Sequence, residues 1–544
     1  MQTIFYNGKV MTSEFHESKG HVKHEAVAIK DGLIAAGGSS EDILAMKTGQ
    51  TELVDLKGRS LLPGFNDCHL HLTGHALTRT KVDLRYCTSL DELVEAVKVF
   101  VRENNLQKGE WVLGWGWDQS LFADKKMPTR HELDRAAPDN PVSLMRSCCH
   151  INAVNSMALQ KAGIDRNPRE VEGGTVEVDS QGVPTGILEE NAMKLVTGLL
   201  PPFDKEKLKE LIIIATKDFA AAGLTSVQTD DLAFLGGDLA PILVEAYREL
   251  ERSGELPVRI NLQALLQTEK ELQAFIDQGF RTGMGSDLFK IGPLKLLTDG
   301  SIGGRTALLS APYSDKPDIF GVSVLTEDEL QTLVKLGHSN GLQVAAHAIG
   351  DAAIGMVLDA YEEALKNCPA EDPRFRVIHS SIVSDELLKR YKEQNVIADI
   401  QPLFVPSDFD LVDRHLGSER AHWTYRWKDI IDSGIAVGCG SDCPVESYEP
   451  LQTIHAAITR QDKKGNPPEG WFPGQRLTLD EVLYIYTMGS AYCSFEENIK
   501  GSIIPGKLAD LVVLSEDISS VEPARILELQ VDLTMVGGKV VYQR

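Results

Sequence analysis

Asp67, His69 and His71 stand at alternate positions in LLPGFNDCHLHL, residues 61–72, directly after an apolar run and a Pro-Gly pair. In an extended strand, side chains two apart project to the same side, so these three groups can converge on one point if the strand runs through them. Imidazole nitrogens and a carboxylate oxygen suit zinc or a similar divalent ion, and gathering them away from water is costly unless a positive charge sits among them. On its own, HLH also fits a plain polar strand terminus.

Other residues shift that balance. His347 ends the apolar run LQVAAHA, His379 ends RFRVIH, and Asp442 follows IAVGCGS, each at the C-terminal tip of a different predicted strand. In a closed (β/α)8 barrel that rim is where catalytic groups gather. The sequence holds 14 histidines; His16, His21, His24, His131, His338, His415 and His422 lie in polar or helix-like settings and are assigned to the surface.

The elements that must position these groups follow from the rhythm of the chain. LLPGFND, LTSVQTD, VRINLQALL, LFKIGPLKLL, LQVAAHA, RFRVIH, VIADI and IAVGCGSD are compact β-like runs, and longer helical patterns separate most of them. That alternation predicts a parallel sheet, and eight segments is the number that closes a TIM barrel, with a doubly wound open sheet as the competing architecture. Residues 84–205 are too long for one crossover and contain LGWGWDQ, CCHINAVNSMAL and GGTVEVDSQGVPTG, so an inserted α/β subdomain is expected there. Short alternating segments with Asn-Gly, Asp-Gly and Gly-Gly turns mark both chain ends, predicting a β-sandwich domain composed of residues 1–60 and 500–544 around a barrel over 61–499.

Over nearly its whole length the chain resembles the metal-dependent amidohydrolase superfamily, in particular the YtcJ-like branch that includes N-substituted formamide deformylases. The resemblance rests on LLPGFNDCHLH, FKIGPLKLLTDGSIGGRTALL, AAHAIGDAAI, VIHSSIV, GSDCPV and KGSIIPGKLADLVVL, in that order. It implies one or two divalent metal ions, zinc being the first choice, with His69, His71 and Asp442 at one metal and His347 and His379 at a second. Lys295 is implied as a carbamylated bridge, since carbon dioxide on the amine yields an anion with two oxygens. Water acidified towards a pKa of about 7 would be the nucleophile, and Asp442 the catalytic general acid/base that carries its proton to the leaving nitrogen. Trp117, Asp118, His150 and Arg305 are implied as substrate-binding residues. Two departures stand out: Ile378 precedes His379 where many relatives have Glu, and Ser147, Cys148 and Cys149 precede His150 and Asn155 where relatives read Asp-Gly-His-x-x-x-x-Asn.

The implied reaction is hydrolysis of a carbon–nitrogen bond, an amide or N-substituted formamide. Deamination or lactone and ester hydrolysis at the same site is the alternative, and a non-catalytic scaffold a more distant one. With 544 residues, 42% hydrophobic and 25% charged, the composition is that of an ordinary globular protein. A net charge of −24 opposes binding to nucleic acid and to anionic membranes; the resemblance implies a small-molecule substrate as partner, with a homodimer as a further expectation. No basic, apolar leader and no spanning-length apolar run is seen, so a cytoplasmic location is expected. Eight dispersed cysteines without a CxxC pair read as mostly buried free thiols.

Overall fold

The computed structural model describes residues 2–16, 20–148 and 150–544; Cys149 falls outside them, as do the side chains of His16 and His21. The chain divides into two compact units, one made of residues 1–74 and 205–544 and the other of residues 75–204.

The first unit contains the expected barrel. Its eight strands are Phe65–Leu70, Leu224–Thr229, Arg259–Leu265, Phe289–Leu297, Val344–Ala348, Arg376–His379, Ile397–Ile400 and Val437–Cys439. They form one sheet in chain order, and every adjacent pair is parallel. Most of their residues are buried, as in Leu224–Thr229 and Ile397–Ile400, where every residue is buried because the strands are covered on both faces.

The seam between the eighth and first strands is closed by backbone hydrogen bonds just beyond the strand tips. The Asp442 N–H donates to the His69 carbonyl at 2.9 Å, and the His71 N–H to the Cys443 carbonyl at 2.7 Å. Glycine permits this approach, because a Cβ on Gly440 would lie 2.8 Å from the His69 nitrogen.

The LLP portion of the opening motif has a different partner. Ser60–Pro63 pairs with Leu511–Leu514 in a six-stranded sheet that also holds Lys9–His16, Gly20–His24, Val531–Val536 and Lys539–Gln543. A four-stranded sheet of Gln2–Tyr6, Ala26–Lys30, Leu33–Gly38 and Thr51–Asp55 faces it. Phe5, Val27, Ile29, Leu61, Leu511 and Val513 share one apolar cluster, so residues from both chain ends fill a common core.

The second unit is a six-stranded mixed sheet in the order Gly174–Val178, Pro184–Glu190, Ile151–Val154, Val142–Arg146, Val112–Trp117 and Val82–Asp83. Its core collects Val82, Leu93, Val97, Val112, Trp117, Leu133 and Leu144. The seven described cysteines of the chain are free, and Cys68, Cys87, Cys439, Cys443 and Cys493 are buried. No helix among the described residues is long and apolar enough to cross a membrane.

Candidate metal centre

His69 lies on the first barrel strand and His71 just past its end, while Asp442 follows the eighth. Asp442 Oδ1 sits 3.3 Å from His69 Nε2 and 3.1 Å from His71 Nε2. Among the described residues these three form the one cluster of His, Cys, Asp or Glu whose donor atoms all lie within 4.8 Å of one another.

Asp67 does not join them. Between Val227 and Thr229 of the second strand, the first advances from Asp67 to Leu70, so one extra residue breaks the two-residue alternation. The Asp67 carboxylate instead accepts from the Ser441 N–H at 3.0 and 3.1 Å and from the His69 N–H at 3.1 Å. Burial raises this carboxyl to about 7, against the pull of those donors.

Lys295, on the fourth strand, is buried and places Nζ 3.2 Å from His69 Nε2 and 3.9 Å from Asp230 Oδ2. His379, at the tip of the sixth strand, packs edge-on against His69, with ring centroids 5.7 Å apart, and against His347 of the fifth strand at 4.4 Å. All six expected metal-site residues therefore meet at one rim of the barrel. His379 and Asp442 hold φ of +78° and +60°. Such backbone costs about 1–3 kcal/mol per non-glycine residue and gathers where function demands a particular side-chain direction.

Each histidine has one nitrogen occupied by an acceptor. His69 Nδ1 meets Gln263 Oε1 at 2.7 Å, His71 Nδ1 the Asp230 carbonyl at 2.7 Å, and His379 Nδ1 Gln401 Oε1 at 2.9 Å. His347 uses the other nitrogen, its Nε2 lying 3.2 Å from both Asp299 Oδ1 and the Gly300 carbonyl. Nitrogens that donate in these bonds leave the opposite lone pairs to offer. Sequence reasoning missed Gln263, Asp230, Asp299 and Gln401; their signal was a polar residue within, or just after, an apolar barrel strand.

Burial, reinforced by Lys295, lowers His69 to about 3. With neutral rings, the Nε2 lone pairs of His69 and His71 and an anionic oxygen of Asp442 converge without a proton to share. That donor set fits a divalent cation, which supplies the missing positive charge. Without one the charge comes from a proton: burial opposes it on His71, yet contact with Asp442 raises that imidazole overall.

The four expected substrate-binding residues have the following surroundings. Trp117 is fully buried in the core of the second unit and donates its indole N–H to the Leu144 carbonyl at 2.8 Å, a packing role. In the same unit, Asp118 accepts from Arg146 Nη2 at 2.9 Å, and the exposed His150 has Nδ1 3.1 Å from Glu190 Oε2. Arg305, in the first unit, makes a two-point pair with Asp315 at 2.6 and 3.1 Å. Asp315 also binds His415 at 2.9 Å; that histidine is buried, against its assignment to the surface.

The chain is similar to known proteins over nearly its whole length. The model of a family described as "Amidohydrolase family" matches residues 52–542. The chain is 36% identical to YtcJ of Bacillus subtilis (strain 168) over the whole of both proteins. It is 28% identical to the N-substituted formamide deformylase of Arthrobacter pascens, covering 96% of this chain and 95% of that one. The crystal structure of an uncharacterized metal-dependent hydrolase from Pyrococcus furiosus superposes with a TM-score of 0.77 at 30% identity, covering 96% of this chain and all of the other.

Proposed function

The chain belongs to the amidohydrolase family, and from that premise we propose that it hydrolyses a carbon–nitrogen bond of an amide or N-substituted formamide. The observation that carries the proposal is the approach of Asp442 Oδ1 to the Nε2 atoms of His69 and His71, at 3.3 and 3.1 Å. The 28% identity to the N-substituted formamide deformylase supports the choice of bond.

His69, His71 and Asp442 would hold one divalent cation, zinc by donor type, and His347 and His379 a second. When bound, such an ion acidifies water and polarises the carbonyl under attack. Asp442 would stand as an anion, its charge set against the cation that these donors would hold. It can therefore take the proton of the attacking water. As the water oxygen bonds to the carbonyl carbon and the C–N bond breaks, Asp442 returns that proton to the leaving nitrogen.

Lys295 is the residue for carbamylation. Burial pushes its ammonium down, against the attraction of Asp230 and Asp442, and so enlarges the share of free amine that attacks carbon dioxide. The nitrogen would form a bond to carbon and give up a proton to solvent, leaving an anionic carbamate beside His69. Metal analysis and a panel of N-substituted formamides, linear amides, amidines and lactones test the proposal. Stoichiometric divalent metal with turnover of the first two classes is expected. Metal-free protein whose melting and activity ignore chelation would end it.

A further inference from the structure

We propose that Gln263 is a positioning residue that fixes the tautomer of His69 and so aims the Nε2 lone pair at the point where His71 and Asp442 meet. The inference rests on the reading of His69 as a cation ligand. Gln263 lies in the third barrel strand, fully buried, and is a polar interruption of the run INLQAL.

Its amide has only one workable orientation. Gln263 Nε2 lies 2.9 Å from the Cys68 carbonyl, an atom that accepts and never donates, so the nitrogen must face Cys68. The oxygen then faces His69 Nδ1 at 2.7 Å and requires a hydrogen there. A neutral ring with Nδ1–H has its lone pair on Nε2. On the opposite edge Lys295 Nζ, 3.2 Å from Nε2, has hydrogens to donate to that lone pair, while Asp442 Oδ1 at 3.3 Å faces the same atom and with it calls for a cation between them.

The anchor is itself held from a second side. Arg376 Nη2 donates to the same Cys68 carbonyl at 2.8 Å and to Asp399 Oδ2 at 2.6 Å, with all three residues fully buried. Asp399, Arg376, the Cys68 carbonyl, Gln263 and His69 thus form a continuous line of hydrogen bonds through the barrel interior. A glutamine serving only to tie the third strand to the first would need the Cys68 contact and not the one to His69.

Two measurements separate these roles. Nitrogen-15 spectra of histidine-labelled, metal-free protein, with His69→Gln to assign the signals, are expected to show the His69 hydrogen on Nδ1; a hydrogen on Nε2 overturns the proposal. Competition of Zn2+ against a chelating dye is expected to show Gln263→Leu weaker by about 10- to 100-fold, as supporting hydrogen bonds to metal ligands typically are. Gln263→Glu, whose carboxyl must stay protonated to donate to the Cys68 carbonyl while its other oxygen faces Nδ1, is expected to bind Zn2+ more tightly than Gln263→Leu. Equal Zn2+ affinity in Gln263→Leu and wild type also overturns it. Should Gln263→Leu fail to fold, the wild-type spectrum decides alone. If wild-type protein takes up no Zn2+, the metal reading falls while the spectrum still tests the tautomer.

Discussion

Gln401 lies immediately after the seventh barrel strand and presents Oε1 to His379 Nδ1 of the sixth at 2.9 Å. Ile378, which stands where many relatives have Glu, is fully buried and opposes His347 and Asp399 in the neighbouring ladders. Support for the His379 ring therefore comes from across the ladder and not from the preceding residue. The His379 ring is oriented by this acceptor beside the neighbouring strand, with Ile378 in the preceding position.

Replacing Asp442 by Asn keeps the shape and removes the proton carrier. Turnover is expected to fall by at least about 100-fold, with the melting temperature close to wild type, since the Asp442 N–H to His69 bond belongs to the backbone. Full activity in a metal-loaded Asp442→Asn enzyme would rule out the shuttle role.

Stripping the cation should abolish turnover and lower the melting temperature together, because an ion that binds only the folded chain stabilises it by about 2.7 kcal/mol at a concentration 100 times its Kd. Calorimetry before and after dialysis against a chelator, then after adding back Zn2+ or Mn2+, checks this. A melting curve indifferent to all three treatments contradicts the donor convergence.

Acid should weaken the fold through Glu496. Its oxygens meet Lys290 Nζ at 2.8 Å and Lys500 Nζ at 2.6 Å. Burial opposes ionisation, but those two ammonium groups win and lower the carboxyl from 4.5 to about 2. A depressed folded-state value gives stability that is complete above the unfolded value and is lost as pH falls from 4.5 towards 2. Glu496→Gln should therefore be less stable at neutral pH by on the order of 2–3 kcal/mol, with a flatter profile through that window in urea titrations.

Arg376 and Asp399 form a fully buried pair at 2.6 Å. Arg376→Leu strands the carboxylate in the barrel interior and should cost about 3–5 kcal/mol, read as a fall in the urea midpoint. A loss below 1 kcal/mol would mean that water or a rearranged Gln228 takes over.

The barrel was legible because its strands are short, apolar and separated by long helical stretches, a pattern that parallel strands require. His347, His379 and Asp442 stand out in the sequence because each lies at or near a strand's C-terminal end, which the barrel turns towards a common rim, whereas Lys295 enters only through the family resemblance. Asp67 was misplaced because alternation holds only in an unbroken strand, and the extra residue before Leu70 leaves no signature in composition. Gln263 and Gln401 escaped notice because an amide inside an apolar run becomes meaningful only when the neighbouring strand is known. The resemblance implies a substrate role for Trp117, whereas the register of Trp115 and Trp117 on Met145 and Arg146, with a bulge between, sends its indole to the Leu144 carbonyl.

The stitching of Asp442 to His69 and of Cys443 to His71 gives the barrel's closing joint a second duty. Any breathing that parts the first and last staves pulls the cation's seat apart in the same stroke, so ion loss and local opening should share one rate. Deuterium uptake at the His71 and Asp442 amides, slowed by loading and quickened by chelation, would then serve as a gauge of occupancy that needs no substrate.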